Sequence, residues 1–324
     1  MKKIFLILAL AIVACDAPRQ NPFDPNADNY LRQSLTEIKV QRLYPPNTVL
    51  KDVIVTEDKL GFYGKTGSEG IIQWYHPPSD SIHLVTFRDG YFTQSGSYPG
   101  SDDHTLINIY LNAMPVIENV SLYSVYNNTD SKTYIVAEAQ VTDPDGMTDI
   151  DDIYIEVSEK NFKISLPHVT DSDDMYFVKV KSDDISSGLI PETIPEINFG
   201  LTARNLNGDS LQSGGYNIRR VINRALTLKL PSVDRPESGD IRFTWTKLDL
   251  PYPHHYRIIL FRLQNPVVKI GAFDNIPSDN DQYVLDDPVV LAGITNGWYL
   301  WTLEVEDQIG NICQSQAVSF QYFK

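Results

Sequence analysis

The chain has 324 residues, 42% of them hydrophobic, and carries 42 acidic against 27 basic side chains for a net charge of −15. Such a surface repels the phosphates of nucleic acid and the headgroups of anionic lipid, which argues against both as partners of the folded part. With only two cysteines, Cys15 and Cys313, no cysteine zinc cluster can form, so the fold must rest on apolar cores for which 18 Tyr, 13 Phe and 4 Trp supply the material.

The chain begins with Lys2 and Lys3, followed by ten residues, Ile4 to Val13, without a polar side chain. A membrane-spanning helix needs about 20 such residues. Ten is the length of a signal-peptide apolar segment, and a small residue should close it. Ala14 does so, and Cys15 follows. Ile12-Val13-Ala14-Cys15 resembles the lipobox of bacterial lipoproteins. The resemblance implies that residues 1–14 are a signal peptide, that the chain is cut before Cys15, that the Cys15 sulfur carries a diacylglycerol, and that the new amino terminus is acylated. Each buried CH₂ contributes about 0.8 kcal/mol, so two or more acyl chains anchor a protein stably. With Cys15 lipidated, Cys313 has no disulfide partner. Residues 15–34 read as a tether, because Pro18, Pro22 and Pro25 oppose helix and central strand. Within it, "NPFDP" resembles an element of envelope lipoproteins from Bacteroidetes-like bacteria. The expected place is the cell envelope, lipid-anchored, at the outer membrane rather than the inner.

From Leu35 onward the hydrophobic period is two. Ile107, Ile109 and Leu111 fall on one face of a strand, as do Ile153, Ile155 and Val157, then Ile197, Phe199, Leu201 and Ala203, then Ile241, Phe243 and Trp245. No segment shows a convincing 3.6 period. The expected class is all-β, with three tandem β-sandwich modules at residues 35–113, 114–222 and 223–324. An internal repeat sets the module length: "LTARNLNGDSLQS" from Leu201 aligns without a gap to "LEVEDQIGNICQS" from Leu303, 102 residues on. Both read as strand, Asn/Asp/Gly turn, strand.

The three modules carry separate resemblances. Val53-Ile54-Val55, Thr66-Gly67, Gly70, Val85, Asp89-Gly90-Tyr91 and Ile107-Ile109-Leu111 make the first resemble the carboxypeptidase regulatory-like, transthyretin-like domain, with "EDKLGFYGK" longer than that family's usual connection. "VTDPDG" makes the second resemble immunoglobulin-like domains of envelope proteins. "IRFTWTKL", "HHYRIILFRL" and "GWYLWTLEVEDQIGN" make the third resemble fibronectin type III, which implies that Trp245 anchors the core and that Tyr299, Trp301 and Leu303 line the inside of a central strand.

Few residues of the chain are candidates for chemistry. The six histidines form no H-E-x-x-H, and "GKT" at Gly64 lacks the earlier glycine of a phosphate loop. The densest acidic stretch is "DPDGMTDIDD". Asp143, Asp145, Asp149 and Asp151 are its candidate ligands for calcium, which takes about six to eight oxygens, against the plainer reading of a solvated Asp-Pro-Asp-Gly turn. Trp74 and Tyr75 are adjacent on a strand, so one faces the core and the other is a candidate for stacking a sugar ring. The reading is a non-catalytic, lipid-anchored envelope protein serving adhesion, ligand binding or structure, held to the membrane by its lipid, with envelope proteins or glycans as partners. Its alternatives are a carbohydrate-binding accessory of a polysaccharide-uptake system and a hydrolase of new design.

Overall fold

The computed structural model describes residues 32–186 and 189–324. Cys15, the signal-like run and most of the expected tether lie outside the described residues. The chain divides into two compact units. One comprises the described residues up to Met114 together with Asp143–Asp145; the other comprises Pro115–Thr142 and Gly146–Lys324.

The first unit contains β1 (Ser34–Arg42), β2 (Ile54–Glu57), β3 (Phe62–Lys65), β4 (Ile71–His76), β5 (Ser81–Phe87), β6 (Gln94–Pro99) and β7 (His104–Leu111). They form a sheet ordered β4-β1-β7 and a sheet ordered β3-β2-β5-β6. β1 pairs in parallel with β7 and antiparallel with β4. Alternate residues turn inward, and Ile38, Val40, Val55, Ile82, Leu84 and Ile109 share one core. The long "EDKLGFYGK" connection is a hairpin: β2 folds back on β3, with Ile54 opposite Lys65 and Glu57 opposite Phe62. Thr66 closes it, its hydroxyl donating to the Leu50 carbonyl at 2.6 Å and accepting from the Val53 N–H at 3.0 Å.

The second unit contains β8 (Val116–Asn127), β9 (Lys132–Thr142), β10 (Ile150–Val157), β11 (Phe162–Ser165), β12 (Met175–Lys181), β13 (Phe199–Asn205) and β14 (Ser210–Tyr216). It continues with β15 (Leu228–Leu230), β16 (Ile241–Trp245), β17 (His254–Arg262), β18 (Val268–Pro277), β19 (Gln282–Leu285), β20 (Gly297–Asp307), β21 (Ile312–Gln314) and β22 (Val318–Tyr322). The earlier strands make a sandwich of β11-β10-β13-β14 on β12-β9-β8, closed around Ile153, Ile155, Phe199 and Leu201. The later strands make a second sandwich, in which β15-β16-β19 lies on the sheet of β17, β18 and β20, closed around Phe243, Trp245, Tyr256, Tyr299 and Trp301. The fold class is all-β, built of β-sandwiches. Helical turns are short, at Ser182–Ile185 and Pro288–Gly293. The latter starts where the Asp287 carboxylate accepts from the Val289 N–H.

The repeat is a structural one. In the first copy the Asn205 N–H donates to Asp209, Gly208 N–H to Asn205, and Asp209 N–H to the Asn205 side chain. In the second copy the Asp307 N–H donates to Asn311, Gly310 N–H to Asp307, and Asn311 N–H to the Asp307 carboxylate. Gly208 and Gly310 both stand at φ 86°, where a side chain is strained.

The expected joint at Ile222–Asn223 does not separate two compact units. β21 pairs antiparallel with β20 and in parallel with β8, matching Ile312 to Val125, Cys313 to Tyr126 and Gln314 to Asn127. One eight-stranded sheet, β12-β9-β8-β21-β20-β17-β18 with β22 beside β20, therefore belongs to both sandwiches. Period-two patterning fixes which face of a strand is buried. It does not disclose a parallel partner almost two hundred residues away.

Candidate functional site

Alternation along β4 separates the two aromatic candidates. Trp74 is 8% exposed; its ring stacks on Phe62 at 4.7 Å and lies 4.2 Å from the His76 ring. Of the two adjacent aromatics, Trp74 is the one that faces the core. His76 is held on both nitrogens. Its Nδ1 lies 2.6 Å from the Pro77 carbonyl, an acceptor, so that nitrogen donates, and Nε2 faces the Thr36 hydroxyl at 2.8 Å. Tyr75 is 60% exposed on the opposite face, beside Leu35 of β1. The same face carries Gln73, whose amide donates to Glu37 at 3.1 Å, and, on β7, Leu106 and Tyr110.

The acidic loop gathers three of its four candidates. Asp143, Asp145 and Asp149 each bring one carboxylate oxygen within 4.8 Å of the others. The Asp145 N–H donates to Asp143 Oδ1 at 2.7 Å, an Asx-type turn. The Asp145 side chain, 1% exposed, accepts from the Ala113 N–H at 2.7 Å and lies 3.9 Å from the Arg42 guanidinium. Asp149 sits in the helical turn Met147–Asp149, with its carbonyl accepting from Leu206. Asp151 departs from the group: its exposed carboxylate pairs with Arg204 at 2.7 Å. Asp143 and Asp145, which belong to the first unit, offer carboxylate oxygens of the kind a hard cation such as calcium takes.

Among the described residues, His83 with its serines approaches a hydrolytic arrangement without completing it. His83 lies between Ser95, 3.2 Å from Nε2, and Ser97, 3.1 Å from Nδ1. A triad requires a carboxylate at the second nitrogen to orient the ring, and a serine occupies that position.

A buried polar cluster lies where β8 meets the second sandwich, and the sequence did not disclose it. Ser124 is fully buried; its N–H donates to Asn311 Oδ1 at 2.9 Å, and its hydroxyl lies 3.0 Å from the same oxygen and 3.1 Å from the Arg220 carbonyl. The Asn311 amide donates in turn to Asp307 at 3.2 Å, and Arg220 faces that carboxylate at 3.5 Å. A few residues on, the Asn128 amide donates to the Gln314 carbonyl at 2.9 Å and approaches the buried Cys313 sulfur at 3.3 Å. Burial pushes the Cys313 thiol up to about 11, so it is no thiolate nucleophile at neutral pH. The turn residues of this cluster had a signal in the repeat, since Asp307 and Asn311 align with Asn205 and Asp209.

On the other face of the same sheet, Arg257 is surrounded by Asp274, Glu304 and Glu306. Burial raises Glu304 above the ordinary carboxylate range, opposed by Arg257. The Tyr123 hydroxyl donates to Glu138 at 2.8 Å; burial and that carboxylate together hold its proton far above the usual phenol range. Beside them is a cleft of about 480 Å³ lined by Leu122, Tyr123, Ile309 and Ile312 with Arg257 and Glu306.

No family model and no curated protein matches the chain. Among solved structures it is similar to a DUF3823 family protein from Bacteroides ovatus, with 11% identity over 56% of this chain and 97% of that one, at a TM-score of 0.28. It is also similar to the fibronectin(III)-like modules of Clostridium thermocellum CbhA, with 13% identity over 65% and 93%, at 0.28. Chicken CNTN1 FN1–FN3 domains match at 9% identity over 84% and 91%, at 0.30. At these identities the likeness is one of fold alone. No helix among the described residues is long and apolar enough to cross a membrane.

Proposed function

We propose that this protein is a non-catalytic, lipid-anchored component of the cell envelope whose sandwiches serve as a binding or structural array at the outer membrane. The observation that carries the anchor is Ile12-Val13-Ala14-Cys15 after a ten-residue apolar run. The buried polar groups of the second unit bond to one another across strands, and the Ser–His pair of the first unit lacks an orienting acid. Cys15→Ser removes the acyl acceptor. Radioactive palmitate should label the wild type and not the variant, and label retained by the variant would refute the anchor.

Tyr75 favours a second, compatible reading, in which the outer face of β4, β1 and β7 binds glycan. An exposed ring beside the carboxamide of Gln73 and the carboxylate of Glu37 offers a stacking surface and hydrogen-bonding groups for a hydroxyl-rich ligand. Retention of the protein on immobilised polysaccharides should fall in Tyr75→Ala and persist in Tyr63→Ala, whose exposed ring is on β3. Equal retention of all three proteins would remove Tyr75 from the reading.

A further inference from the structure

We infer that Pro115–Lys324 works as one mechanical body, its two sandwiches fused by the β8–β21 seam and a buried clamp of Asp307, Asn311, Ser124 and Arg220. The inference goes beyond the envelope role and does not depend on the anchor or on a ligand.

Three independent features of the seam support it. The first is backbone pairing. β21 is only three residues long and is flanked by β20 on one side and β8 on the other. Parting the sandwiches would strip hydrogen-bond partners from strand edges that the seam now pairs.

The second feature is the clamp. Asp307, Asn311 and Ser124 are all buried. The carboxylate of Asp307 fixes the turn through the Ile309 and Asn311 N–H groups, each at 3.0 Å, and orients the Asn311 amide. The other end of that amide then accepts from Ser124 on the neighbouring sandwich. Each group's partner belongs to the same chain of bonds, so breaking it leaves several buried groups unsatisfied at once.

The third feature is the connecting segment. Ile218 is part of the first core, while Ile222 and Leu226 are part of the second. Between the two isoleucines only three residues remain, and one of them, Arg220, has its carbonyl bonded to Ser124 and its guanidinium 4.2 Å from the Tyr252 ring. Further on, the Arg224 carbonyl accepts from Asn128 and from the Cys313 thiol. Tyr126 of β8 itself packs against the second core. A hinge needs residues free to absorb a φ/ψ change, and this segment is held at Arg220, Ile222, Arg224 and Leu226.

Hydrogen exchange on the full chain, read by mass spectrometry, tests the inference, because global opening sets the protection of core strands. Leu201→Ala weakens the first core, to which β13 belongs. One fused body requires that peptides of β13 and of β20 lose protection by the same factor, tenfold or more. Ile155→Val is the milder variant should Leu201→Ala fail to fold, and again both peptides must fall together. Loss in β13 with β20 at wild-type protection would overturn the inference. Asn311→Ala should then divide the two, with β13 and β20 opening to different extents. If both peptides kept wild-type protection in that variant, the clamp would be refuted.

Discussion

Glu304 shows how one buried carboxylate can make stability depend on pH. It lies opposite Arg257 in the β17–β20 register and receives a hydrogen bond from Gln314 at 3.1 Å. Burial nevertheless outweighs the neighbouring guanidinium and raises its proton affinity. The folded protein therefore holds this proton more tightly than the unfolded chain. The residue favours folding at acid pH, below the ordinary carboxylate value, and that contribution is lost as pH rises through the raised value. Glu304→Gln does not titrate, and its amide oxygen can still accept from Gln314. The melting temperature of the variant relative to wild type should thus become more favourable between pH 4 and pH 7. A melting temperature of the variant that instead falls relative to wild type over this range would show that pairing with Arg257, not burial, governs the site.

At the scale of elements, the legible parts of the sequence were those with local chemistry. Ile241, Phe243 and Trp245 are all fully buried because alternation on a half-buried strand leaves no other arrangement, and Tyr299, Trp301 and Leu303 are fully buried on a strand whose Thr302 and Glu304 are covered as well. The repeat was legible for the same reason, since a glycine three residues after an Asn or Asp encodes the turn directly. The helical turn at Pro288 also had a signal, Asp287 followed by proline, which the search for longer periodicity passed over. The pairing of β8 with β21 had none, because neither strand's pattern depends on which neighbour completes its hydrogen bonds. Among the acidic candidates, Asp143, Asp145 and Asp149 converge, whereas Asp151 is drawn to Arg204, a partner 53 residues away. The matched turns make a quantitative prediction. A Cβ at Gly208 would meet nothing within 4 Å, and one at Gly310 only the Tyr123 Cβ at 3.9 Å, an ordinary contact. The cost of Gly208→Ala and of Gly310→Ala is then backbone strain alone, about 1–2 kcal/mol for each. Denaturant unfolding should give similar losses for the two. A much larger loss at Gly310 would mean that the seam cannot tolerate even this small displacement.

Over the molecule as a whole, a trypsin digest distinguishes a fused second unit from a pair of separately folded beads. Arg219, Arg220 and Arg224 lie in the segment between the two cores, and a flexible linker with three such sites would be cut first. Proteases cleave chain that is locally open, and the side chains of Arg219 and Arg224 do reach solvent. Their backbone is another matter. Ile218 and Ile222 are buried in different cores, and the carbonyls of Arg220 and Arg224 are bonded to Ser124 and Asn128. Opening this segment requires withdrawing an isoleucine from a core and breaking bonds to β8. In the fused unit, brief native digestion should therefore leave the 219–224 bonds intact while more exposed lysine and arginine sites elsewhere are cut. Asn311→Ala should shift cleavage toward Arg220 and Arg224, because the clamp that holds their backbone is weakened. Early native cleavage of the wild type at these arginines, releasing a stable fragment near residues 225–324, would restore the two-bead arrangement that strand periodicity alone suggests.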